Sequence, residues 1–226
     1  MESVIKSRIS GGSITSGALV GTGIGQIVTS SVIDRKKPTA SSEGLLRNRY
    51  VTTARGYLGV IQGSARHKEL VDLYNSLDPL PVKYKVSYND AWCAVFVTAI
   101  AMQLNLLHII PPECGVARML ELFKEHPSSQ WEEKDCYTPA LGDIVFFDWG
   151  DSGIGDNMGH PDHVGIVCSV RSTSFSAIEG NYDKSVKIRE MDIDGRYIRG
   201  FGLPNFGTIG NGSIFDKKRP ANMEVF

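Results

Sequence analysis

The apolar positions divide the chain into three stretches. Residues 1–44 are Gly/Ser/Thr-rich with scattered strong apolar residues, residues 45–207 carry regular periodicity and nearly all the aromatic side chains, and residues 208–226 revert to a polar tail. In the middle stretch the spacing predicts helices over about 45–58 and 67–76. Asp78, Pro79 and Pro81 then break the chain. A third helix is expected to start at Asn89 or Asp90, both favourable N-caps, and to run to about Leu107. Its residues 94–101 are apolar nearly all round, the pattern of a helix buried in the middle of a fold. Pro111 and Pro112 end that section, and a shorter helix is expected over 116–124. The pattern then turns to strands: 144–147, 163–170 and 175–179, with residues 171–174 as a turn, and a further strand over 186–189. Helices first and an antiparallel sheet afterwards is an α+β order. The length suits one catalytic-sized domain, 45–207, flanked by an arm and a tail.

Composition narrows the classes of function. Lys and Arg total 24 against 25 Asp and Glu, a net charge of −1. Nothing there favours nucleic acid as a partner. The four cysteines, Cys93, Cys114, Cys136 and Cys168, contain no C-x-x-C pair, which argues against a zinc framework, and at least three are expected to be buried small hydrophobes. Residues 9–33 lack any charge and are long enough to span a bilayer, with Gly17, Gly21 and Gly25 at the spacing of packed membrane helices. Their Gly/Ser/Thr content favours a flexible or assembly arm instead, and no signal-peptide pattern is present.

The candidate chemistry lies at two places. Cys93 falls in the first turn of the expected buried helix. There, unpaired N–H groups and the helix dipole favour the attacking thiolate and an oxyanion beside it. His163 opens a strand and is a candidate base for that thiol. His160 lies in a Gly/Pro loop and ranks lower; His67, His108 and His126 read as surface or helix-end residues. Glu179 and Asn181 share one face of the next strand. A hairpin with a three-residue turn sets His163 opposite Asn181 and Glu179 one pair along, so either can orient the imidazole.

The sets Ala91–Trp92–Cys93, Gly142–Asp143–Ile144–Val145–Phe146–Phe147, Asp162–His163–Val164–Gly165–Ile166–Val167 and Ile178–Glu179–Gly180–Asn181 resemble, in order, the motifs of the CHAP amidases and peptidases. The resemblance covers roughly residues 45–207 and is closest to prophage-type hydrolases. It implies a papain-like α+β fold with N-terminal helices packed on a central antiparallel sheet. It also implies Cys93 as nucleophile, His163 as base, Glu179 as orienter and Asn181 in support. The implied substrate is bacterial peptidoglycan, cut as an N-acetylmuramoyl-L-alanine amidase or a stem or cross-bridge endopeptidase does. The implied setting is a phage lysis or virion-borne enzyme, made in the bacterial cytoplasm and acting at the wall, with residues 1–44 free to tether it to a tail or membrane. The competing class is a non-catalytic wall-binding module that kept the fold; the complete Cys93/His163/Glu179 set argues against it.

Trp92, Trp149 and Tyr182 flank the motifs and are candidate walls of a substrate groove, with core packing as the alternative. Asp148, Asp151 and Asp156 lie in a Gly-rich acidic loop that offers calcium-type oxygen ligands. The loop lacks EF-hand spacing, a solvated loop is the favoured reading, and no cofactor is expected.

Overall fold

A serine oxygen starts each of the first two helices. Ser41 caps α1 (Ser42–Arg55), accepting from the Gly44 N–H at 3.1 Å, and Ser64 caps α2 (Ala65–Asn75), accepting from the His67 N–H at 3.3 Å. Each satisfies an N–H that the helix cannot bond internally, worth about 1 kcal/mol. The computed structural model describes residues 41–134, 136–150 and 159–207. Residues 1–40 of the arm, the tail 208–226, and Asp151 and Asp156 of the acidic loop lie outside the described residues.

The third helix, α3 (Cys93–Gln103), is shorter than its pattern at both ends. Neither Asn89 nor Asp90 caps it. Asp90 Oδ2 instead accepts from the Ser87 N–H at 2.7 Å and the Tyr84 hydroxyl at 2.9 Å, closing a local turn. Short carboxylate side chains compete with helix backbone in this way. At the other end Asn105 takes a left-handed conformation, φ 56°, which stops the helix. Every residue from Cys93 to Ala101 is buried, as the all-round apolar pattern implied. α4 (Val116–Glu125) completes the helical set.

Six antiparallel strands form one sheet in the order β1-β6-β2-β3-β4-β5: β1 (Ser129–Glu132), β2 (Ile144–Phe147), β3 (His163–Val170), β4 (Ser174–Tyr182), β5 (Ser185–Asp192) and β6 (Ile198–Pro204). The helices and the sheet form the expected α+β fold. Strands β1 and β6 are additional to the pattern. β1 is a short, part-exposed edge, and β6 carries Gly200 and Gly202, so neither shows a strong strand signature. Both glycines serve close packing: a Cβ on Gly200 would stand 2.4 Å from the Trp131 ring, and one on Gly202 would stand 2.8 Å from Phe123.

Alternation along the strands gives the sheet two dry faces. Ile144, Phe146, Val164, Ile166 and Ile178 join the helices in the larger core, while Val145, Phe147, Val167, Phe175, Ala177 and Phe201 form a second cluster. Burying each such aliphatic or aromatic side chain contributes roughly 1.5–3 kcal/mol. α3 lies directly on β4 because Gly180 has no side chain there: a Cβ would fall 2.4 Å from Phe96 Cβ.

Of the cysteines, only Cys93 and Cys168 are buried; Cys114 is half-buried and Cys136 exposed, fewer buried than the composition suggested. His67 departs from its expected surface position. It is fully buried, its Nδ1 accepts from the Gly63 N–H at 3.1 Å, and its ring packs on Trp92 at 4.7 Å.

Candidate active site

Cys93 is the first residue of α3. The first N–H bonded within the helix belongs to Phe96, which donates to the Trp92 carbonyl at 2.9 Å. No side chain caps this end. The N–H groups of residues 93–95 therefore have no helical acceptor and point their partial positive charge toward the cysteine. That electrostatic setting stabilises a thiolate, and afterwards an oxyanion.

His163 opens β3, beside the last residue of β2. Its ring is held on two sides. Phe147 stacks on it at 6.1 Å and 28°, and Trp149 stacks on Phe147 at 5.0 Å. The Nε2 N–H donates to Glu179 Oε2 at 2.9 Å. That leaves Nδ1 for Cys93, whose sulfur is the ring's other hydrogen-bonding neighbour. Burial works against a charged ring, but Cys93 and Glu179 outweigh it and raise the His163 pKa to about 9. At neutral pH the ring held between Cys93 and Glu179 is an imidazolium.

Glu179 reaches His163 through a detail of register. The β3–β4 turn is tight, with the Arg171 N–H donating to the Ser174 carbonyl at 2.8 Å and Val170 opposite Phe175. A slip between Val167 and Ser169 then brings Val167 opposite Ala177 and Ile166 opposite Ile178. The shorter turn and the slip together restore the register that a simple three-residue turn would have produced. Glu179 is wholly buried. Its carboxylate passes over Gly165, where a Cβ would stand 2.9 Å from Glu179 Cγ. The glycine is required by space, since its own backbone angle is unexceptional.

Of the two candidates for orienting the ring, Glu179 makes the contact. Asn181 sits at a left-handed position, φ 60°, where pairing between β4 and β5 slips. Trp92 is completely buried against His67 and Phe96, a core residue and not a groove wall. Trp149 and Tyr182 are half-buried on the sheet face that carries Glu179, with the Arg189 guanidinium between them, 4.5 Å from the Trp149 ring and 3.9 Å from that of Tyr182. Asp148 is occupied by the loop backbone: its Oδ1 accepts from the Gly150 N–H and its Oδ2 from the His160 N–H, both at 3.0 Å. Among the described residues no cluster of acidic, histidine or cysteine side chains is arranged to hold a metal ion.

The sequence reading passed over Arg189. Its Nε donates to Glu179 Oε1 at 2.7 Å and its Nη2 to Oε2 at 3.1 Å. Strand alternation alone points to a different cation, because Lys187 is directly opposite Glu179. Lys187 instead bonds Asp183 at 3.0 Å, and Arg189 reaches diagonally from its place opposite Ala177. The signal available beforehand was only that a basic residue had to answer a buried glutamate on that face.

None of the curated proteins matches the chain. Residues 83–181 match the CHAP domain family, a span that contains Cys93, His163, Glu179 and Asn181 and stops short of Arg189. The matched span holds the whole chain of contacts from the head of α3 to Glu179, and that span is similar to the CHAP domain family.

Proposed function

We propose that the protein is a cysteine-dependent peptidoglycan hydrolase, an N-acetylmuramoyl-L-alanine amidase or a stem or cross-bridge endopeptidase. The observation that carries the reading is the chain of contacts from the uncapped head of α3 through Cys93 and His163 to the buried Glu179. CHAP domains are typically hydrolases of peptidoglycan, which supplies the substrate class.

The residues support a two-step acyl transfer. The Cys93 thiolate attacks the amide carbonyl, and the resulting oxyanion lies by the free N–H groups at the head of α3. His163 gives its Nδ1 proton to the leaving amine, the C–N bond breaks, and a thioester remains on Cys93. Water then attacks the thioester, His163 takes its proton, the C–S bond breaks, and the carboxylic acid leaves. Glu179 holds the ring in one tautomer throughout. Release at phage lysis, or carriage on a virion, is the setting that suits such an enzyme, with residues 1–44 as its tether.

The test uses purified protein and Cys93→Ala on purified Gram-positive sacculi, with calcium added or withheld. Clearing by the parent protein alone, with new chain ends identified by mass spectrometry, names the bond. If neither protein cuts any sacculus type, the hydrolase reading fails and a wall-binding role takes its place.

A further inference from the structure

Glu179 is a wholly buried carboxylate, and a buried charge persists only with strong partners. His163 supplies one, through Nε2. Arg189 supplies two, one to each oxygen. The fork is itself restrained, because the guanidinium lies between the rings of Trp149 and Tyr182. A planar guanidinium is suited to both tasks, gripping a carboxylate in two places and stacking on aromatic faces. Ala177 opposite Arg189, and Gly165 beneath Glu179, leave room for both side chains to lie across the strands.

We propose that Arg189 is a positioning residue, which holds Glu179 aimed at His163 and so maintains the Cys93–His163 pair. This rests on the hydrolase reading for its consequence but not for its test. Arg189 lies on β5, outside the matched family span. The charged groups facing His163 are Cys93 from α3, Glu179 from β4 and, through Glu179, Arg189 from β5. Lys187 and Asp183 pair with each other at the rim, Asp162 accepts the Trp149 N–H at 3.4 Å, and β2 presents the uncharged Phe147.

The test is a double-mutant cycle between Arg189→Met and Glu179→Gln, with Arg189→Lys as the conservative variant. The readout is the alkylation rate of Cys93 by iodoacetamide from pH 5 to 9, resolved by peptide mass spectrometry so that Cys136 does not contribute. Hydrolysis of sacculi is followed in parallel. Arg189→Met slows Cys93 alkylation at neutral pH by about tenfold and moves its onset to higher pH, a coupling of the size found within one hydrogen-bond network. Arg189→Lys, which keeps the charge but not the fork, falls between. In the Glu179→Gln background, Arg189→Met adds little. An unchanged alkylation profile, or an equal loss in both backgrounds, overturns the proposal. A parent protein that passes this cycle and yet cuts no sacculus keeps Arg189 in its role and overturns the choice of substrate.

Discussion

Asp143 and Glu179 are two of the buried carboxylates that an arginine holds among the described residues, and they differ in their other partners. Asp143, at the start of β2, accepts from Arg47 Nη1 at 2.9 Å through Oδ1, and from Tyr137 Oη at 3.1 Å and the Ala140 N–H at 2.8 Å through Oδ2. Glu179, on β4, accepts from Arg189 through both oxygens and from His163 through one. Every donor on Asp143 keeps its proton across the working range. One donor on Glu179 is a histidine whose pKa lies at about 9, with a cysteine behind it. Asp143 is a fixed corner that ties α1 to the sheet; burial outweighs its donors and lifts its carboxyl above the ordinary range. The same kind of ion pair meets only inert partners at Asp143 and a titrating one at Glu179.

The largest expected effect separates the two. Glu179→Gln lowers peptidoglycan hydrolysis by about 10²–10⁴-fold, the size of a lost acid–base contribution. Asp143→Asn leaves turnover per folded molecule close to the parent. Turbidity loss normalised to folded protein, measured by circular dichroism, checks both; equal losses erase the distinction.

Stability should divide the pairs the other way. Arg47→Met leaves Asp143 buried without its counter-charge and costs about 3 kcal/mol, the low end for a broken buried pair because Arg47 is partly exposed. It also removes the guanidinium from the Phe206 ring, 4.8 Å away. Urea unfolding measures the cost, with Glu179→Gln expected to lose less because the amide oxygen still accepts from Arg189, whose guanidinium is partly exposed to water.

The pH profile sharpens the contrast. The folded state raises the His163 pKa, so it favours the charged ring. The stability gained is whole below the unfolded value of about 6.5 and is lost as pH rises toward the folded value. Hydrolysis therefore falls away above pH of about 9. Glu179→Gln moves that limb to lower pH, because it removes one of the two interactions that hold the ring protonated. Asp143→Asn leaves the limb in place. A limb that fails to move in Glu179→Gln separates Glu179 from the titration.

The smallest change is Gly165→Ala. One methyl group forces Glu179 aside at 2.9 Å, an overpacking cost of about 1–3 kcal/mol. Activity should fall further than thermal stability predicts, since the displaced group is the one that orients His163.

Much of this arrangement was legible in the chain. The all-round apolar run at 94–101 identified the buried helix, and strand pairing put Glu179 within reach of His163. The four motifs in order located the family. Less visible were elements whose signals are weak or shared: β1 and β6, the true head of α3, and the burial of His67. Asp90 was a good cap by residue type, yet a nearby serine and tyrosine claimed it first. Residue preference describes what a side chain can do and leaves open which partner reaches it.

The sequence alone determined which residues were chemically capable, because thiol, imidazole and carboxylate are fixed by residue type and most helices and strands by period. Tertiary structure decided how they combine. It chose Glu179 over Asn181, sent Trp92 to the core, and brought Arg189 rather than the directly opposed Lys187 to the buried carboxylate. Those choices depend on a register slip, on the space left by Gly165 and on a diagonal reach across strands, and each is set by packing between residues far apart in the chain.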